Sequence, residues 1–82
     1  MDTLDVSEFE AKNKNLKLVT RIGETGPWAI DLYFNPDDGM HYAKGPFARW
    51  DAVCYVKLPY TTQNELNSWM EKMTKANSDR RS

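Results

Sequence analysis

The strongest constraint on this chain is a change of hydrophobic period. In the strand-like runs from Leu16 to Leu58 apolar side chains recur at every second position, and beyond Pro59 they recur at intervals of three and four. A period of two belongs to a half-buried strand, and a period near 3.6 to an amphipathic helix. Leu16, Leu18, Thr20 and Ile22 alternate with Lys17, Val19 and Arg21, and Trp28, Ile30, Leu32 and Phe34 alternate with Ala29, Asp31 and Tyr33. Met40 to Lys44 reads as a third strand and Ala52 to Leu58 as a fourth, stopped by Pro59. Between them lie a turn at Gly23–Pro27, a hairpin connection at Asn35–Gly39 and a loop at Gly45–Asp51. In the hairpin, Pro36 presets a turn dihedral, the Asn and Asp side chains bond nearby backbone, and Gly39 accepts a positive φ.

The final segment is a helix. Thr62 and Glu65 form a capping box, Leu66, Trp69, Met70 and Met73 make one apolar stripe, and Glu71 sits four residues before Lys75. Asn77 reads as its C-terminal stop. Residues 1–15 are polar, and Ser7 with Glu10 suggests a second capping box beside Val6 and Phe9. That segment reads as a weakly structured arm or a short helix. The sequence therefore predicts an α+β fold: a four-stranded antiparallel meander over 16–58, one C-terminal helix over 62–76 on one face, and a frayed tail over 77–82.

With 82 residues the chain has room for one domain. A domain of this size buries only about 60% of its unfolded surface, so three Trp, four Tyr and three Phe must supply much of the core. Eleven basic and twelve acidic residues leave a net charge of −1, which lacks the basic footprint of a duplex-binding protein. Charge is nevertheless segregated along the chain. Asp2, Asp5, Glu8 and Glu10 precede Lys12, Lys14, Lys17 and Arg21. A lone cysteine, Cys54, makes no internal disulfide, and no apolar run reaches the ~20 residues of a membrane span. With no secretory signal, a cytoplasmic location is predicted and no membrane partner.

If each connection closes by the simplest pairing, Ile22 opposes Trp28, Phe34 opposes Met40 and Lys44 opposes Ala52. Opposed residues share a face. One face then collects Leu16, Leu18, Ile22, Trp28, Ile30, Leu32, Phe34, Met40, Tyr42, Cys54, Val56 and Leu58 beneath the helix. The other carries two rows, Lys17, Tyr33, His41, Tyr55 and Val19, Asp31, Ala43, Val53. With only one helix to cover the sheet, this second face is expected to meet solvent or a partner.

Catalytic chemistry finds few materials. One histidine and one cysteine exclude His-rich and thiolate zinc sites, and the register sends His41 and Cys54 to opposite faces. The Asn35–Gly39 segment lacks the alternating ligands of a calcium loop. Gly23-Glu24-Thr25-Gly26 lacks the Gly-Lys-Ser/Thr ending of a phosphate-binding loop. No catalytic residue, metal or cofactor is called for, and an enzyme is not expected. Two partner surfaces stand out instead. The first is the row Lys17, Tyr33, His41 and Tyr55, whose aromatic and basic side chains suit stacking and cation–π contacts. The second is the loop with Phe47, Arg49 and Trp50, the composition of an interface hot spot.

The function predicted is a small binding protein that modulates a larger protein partner. A phage- or plasmid-encoded inhibitor of host defence or nucleic-acid machinery, in the manner of an anti-CRISPR protein, would have these traits. Two alternatives stand beside it: a single-stranded nucleic-acid-binding module using the Tyr33/His41/Tyr55 row, and a self-associating structural protein pairing through an edge strand as a homodimer.

Overall fold

The computed structural model describes residues 3–23 and 28–81, with side chains as far as residue 78. In chain order the described elements are β1 (Thr3–Leu4), α1 (Val6–Lys12), β2 (Lys17–Ile22), β3 (Ile30–Asn35), β4 (Met40–Gly45), β5 (Cys54–Lys57) and α2 (Gln63–Arg81), with a 3₁₀ turn at Arg49–Asp51. The strands form one antiparallel sheet in the order β1-β5-β4-β3-β2. The α+β class and the C-terminal helix match the sequence reading. The sheet, however, has five strands rather than four, because Thr3 and Leu4 return to pair with Val56 and Tyr55. Residues 24–27 of the expected Gly23–Pro27 turn lie outside the described residues.

Turn chemistry corrects the register. The Gly39 N–H donates to the Asn35 carbonyl at 2.8 Å, Gly39 takes φ 72°, and Asn35 pairs with Met40. The sequence pairs Phe34 with Met40 instead, so the true hairpin is one residue tighter and β4 is turned over relative to β3. A one-residue slip moves every side chain to the other face. Ala43 therefore lies between Leu32 and Val56, while Tyr42 opposes Tyr33 on the far side. A second correction falls within β2. The pairs Leu18–Tyr33 and Thr20–Leu32 leave Val19 as an extra residue, a β-bulge that reverses the expected inward setting of Leu18.

Helix α2 covers one face. Ile22, Ile30, Leu32, Ala43, Val56 and Leu58 form a buried cluster with Leu66 and Trp69, and Phe47, Tyr60, Met70 and Met73 pack around it. Small Ala43 at the centre of the sheet leaves room for the larger helix side chains. Thr62 caps the helix as expected: its Oγ1 accepts from the Glu65 N–H at 3.2 Å, and the Glu65 side chain closes on the Thr62 hydroxyl, which donates to Oε1 at 2.9 Å. The helix does not stop at Asn77. It continues to Arg81, and Asn77 is buried inside it, donating from Nδ2 to the Trp28 carbonyl. A Cβ on Gly23, which has φ 83°, would meet that amide at 2.5 Å. Asn77 thus fastens the end of α2 over the exit of β2.

The opposite face is not bare, as the single-helix reading requires. It is covered in part by α1, over Tyr42 and Tyr55. Asp5, not Ser7, caps this helix, accepting from the Glu8 N–H at 3.1 Å. Its buried Phe9 lies 4.6 Å from both the Tyr42 and the Tyr55 ring centroids, within the range for favourable tilted aromatic pairs. Glu10 Oε2 accepts from the Tyr55 hydroxyl at 2.6 Å and from Lys44 Nζ at 3.1 Å. At the C-terminal end of α1, Asn13 Oδ1 accepts from Asn35 Nδ2 at 2.9 Å and Asn13 Nδ2 donates to the Phe9 carbonyl at 2.9 Å.

Two predictions follow from these anchors. Asn77→Ala removes this bond, and urea unfolding is expected to show a loss of about 0.5–1.5 kcal/mol, the net contribution of a typical hydrogen bond. The Tyr55 and Lys44 hydrogen bonds hold the Glu10 carboxyl below its ordinary range. The stabilisation is therefore complete above the ordinary glutamate value and is lost as pH falls through the lowered one. The protection factors of the α1 amides, measured against their intrinsic exchange rates, are expected to fall on acidification, and Glu10→Gln to remove that pH dependence.

Candidate functional site

The β4–β5 connection carries the most exposed large hydrophobic side chain among the described residues, and its geometry begins at Gly45. An added Cβ there would meet Ile30 Cγ1 at 3.1 Å and the Phe47 ring at 3.1–3.2 Å. Glycine leaves this space free for Phe47 to fold back against the α2 core. The Phe47 N–H donates to the Gly45 carbonyl at 2.8 Å, tightening the start of the loop. Beneath it, Trp28, Ile30, Pro46, Phe47 and Met73 line most of an apolar cavity of about 240 Å³, bounded also by Ala76 and Asn77.

The tip turns at Trp50. The Ala52 N–H donates to the Arg49 carbonyl at 3.1 Å, and the Ala48 N–H to the Ala52 carbonyl at 3.2 Å. Between these bonds Trp50 has φ 61° and ψ 28°, and Asp51 has φ 57°. An i to i+3 bond around two left-handed residues is the arrangement of a type I′ turn, a position that favours Asn-Gly. Trp is held there against its own preference, at about 1–2 kcal/mol for a left-handed residue with a bulky side chain, whereas Asp tolerates the conformation better. The turn points the indole away from the protein, leaving Trp50 96% exposed. Arg49 and Val53 are exposed beside it in sequence.

The two sequence-predicted surfaces fare differently. The Phe47–Trp50 loop divides, with Phe47 serving the core and Arg49 and Trp50 facing outward. The row Lys17, Tyr33, His41, Tyr55 does not form. Tyr33 and Tyr55 do lie together, 5.8 Å between centroids, but Tyr55 is buried beneath α1. Lys17 opposes Phe34, which opposes His41, so both Lys17 and His41 belong to the α2 face. The half-buried His41 ring lies 5.1 Å from Phe34. Stacking platforms need exposed rings, and this set supplies none in a row.

The α2 face also holds Cys54, opposite Gly45. His41 and Cys54 thus share a face, contrary to the sequence register. Four residues of strand separate His41 from Gly45, roughly 13 Å at about 3.3 Å per residue, so the two do not form a nucleophile–base pair. Partial desolvation pushes Asp38 upward, but the Tyr42 hydroxyl and Met40 N–H bonds outweigh this and hold it low. Desolvation and the same Asp38 contact push Tyr42 up to about 12. Burial, then the Glu10 bond, raises Tyr55 further. These hydroxyls remain protonated donors that tie α1 and the β3–β4 turn to the sheet. Among the described residues, no group of three His, Cys, Asp or Glu side chains could hold a metal ion. No described helix is long and apolar enough to cross a membrane.

Asp51 ends the loop that the sequence singles out and Val53 falls in the second row of the uncovered face, but nothing in Arg-Trp-Asp marks a left-handed turn. The chain matches no family model, no curated protein and no solved structure. If the tip is strained as described, replacing Trp50-Asp51 by the Asn-Gly that this turn favours is expected to raise unfolding stability by about 1 kcal/mol. Denaturant unfolding of the double variant Trp50→Asn, Asp51→Gly measures it, and a loss of stability would show that Trp50 contributes to packing.

Proposed function

We propose that this protein is a binding module that acts by occupying a surface of a larger protein partner, with Trp50 as its anchor. The observation that carries this reading is an indole 96% exposed on a turn whose backbone disfavours it. Strained conformations concentrate at functional sites, where something other than stability maintains them. A tryptophan on a rigid tip loses little conformational entropy on binding and supplies a large apolar area, which is why Trp and Arg dominate interface hot spots. Arg49 adds a charge at the edge of that contact. The small size of the molecule suits a modulator that blocks rather than reacts, the role of inhibitors borne by phages and plasmids.

The test uses wild-type protein and the Trp50→Asn, Asp51→Gly variant as immobilised baits in extract from the source cells. A protein retained by wild type and released by excess free wild type is expected to bind the variant at least about 30-fold more weakly, the size of one hot-spot residue. Equal retention by the two baits would remove Trp50 from the interface.

A further inference from the structure

The two edges of the sheet are unlike. At one, β1 lies along β5; at the other, β2 is the last strand, and among the described residues no strand pairs with its outer side. Leu18 and Val19 in its middle are 56% and 51% exposed. An edge strand with exposed apolar residues is a template for pairing with another chain. The local charge narrows what that chain can be. From Ala11 to Gly23 the sequence contains Lys12, Lys14, Lys17 and Arg21 and no acid. Arg21 is already paired, its Nε donating to Asp31 Oδ1 at 2.6 Å and its Nη2 to Asp31 Oδ2 at 3.1 Å. Lys17 is exposed and takes no part in the ion pairs among the described residues, nor do Lys12 and Lys14.

We infer that β2 accepts an extended acidic segment of a partner protein as a sixth strand. The ladder places Lys17 on the α2 side and Leu18 on the α1 side. An incoming strand with Asp or Glu on the first side and Val, Ile or Thr on the second answers both, adding backbone pairing to charge and apolar contact. Lysines and a bulge on an edge strand also deter self-pairing, and the same cations explain the selectivity. A second copy of β2 brings further cations and no acid to balance them, whereas an acidic strand meets its complement. This site is separate from Trp50 and stands without it.

The test follows the backbone amides of the full-length, isotope-labelled protein by NMR during titration with synthetic ten-residue probes. One probe alternates Glu with Val and Thr, and the second has Lys in place of Glu. The Glu probe is expected to shift β2 amides and slow their exchange while the Lys probe does not. Lys17→Glu, an exposed change that keeps the fold, should weaken the Glu probe by roughly fivefold, the scale of one exposed charge pair, and bring the Lys probe into binding. The Trp50→Asn, Asp51→Gly variant should bind the Glu probe as wild type does. Equal response to both probes, or shifts confined to other strands, would overturn the inference. So would equal perturbation of the same amides by oligothymidine, which would mark a general polyanion site. Concentration-dependent sedimentation with β2 amides protected in the absence of any probe would assign the edge to a second copy and likewise overturn it.

Discussion

The hydrogen bond from the Gly39 N–H to the Asn35 carbonyl fixes which way β4 faces, and the two helices depend on that choice. Closing the ladder at Asn35–Met40 presents Ala43 to α2 and Tyr42 to α1. Had the hairpin closed one residue wider, Tyr42 would stand under Trp69 and Ala43 beneath Phe9. Neither helix would then find a surface of the right depth. Asn35 secures this arrangement from several directions. Its carbonyl accepts from Gly39, its side-chain oxygen from the Asp37 N–H at 3.1 Å, and its amide nitrogen donates to Asn13 at the end of α1. A polar side chain almost fully removed from solvent thus ties the hairpin to the helix that covers it.

Much of this was legible in the sequence, and the failures share a cause. Period and punctuation located β2 to β5 and the start of α2, because these signals are local. Register was not local. The sequence pairings err by an odd step at β3–β4 and again by an odd step at β4–β5, where Gly45, not Lys44, begins the pairing and Cys54 is its partner. The two errors cancel, so Val56 and Leu58 were assigned to the correct face while Met40, Tyr42, His41 and Ala43 were inverted. Lys17 and Leu18 were inverted for a different reason, the bulge at Val19. β1 was invisible because two residues carry no period. The exposure of Trp50 was half legible: the loop composition suggested an interface, but nothing separated Phe47, which enters the core, from Trp50, which does not.

The surface that results combines a restrained body with two exposed features. Tyr55, which the sequence offers to a stacking platform, is instead committed to holding α1 through Glu10, and Tyr42 is anchored to the β3–β4 turn through Asp38. What remains outside is the indole at the β4–β5 tip and the basic, apolar edge at β2. Both depart from what stability alone favours, one through backbone strain and the other through exposed Leu18 and Val19.

The pairing of Thr3 with Val56 also orders events in time. The hairpins join neighbours in sequence and can close as soon as their strands exist, whereas β1 must wait for β5, the last strand of the sheet. Bringing ends so distant together costs loop-closure entropy before any contact rewards it. The β1 segment, made before the other strands, is therefore among the last parts to settle. Until it does, Tyr42 and Tyr55 stand uncovered and β5 is an open edge. The nascent protein thus passes through an interval with a second open edge, which β1 closes in the finished one.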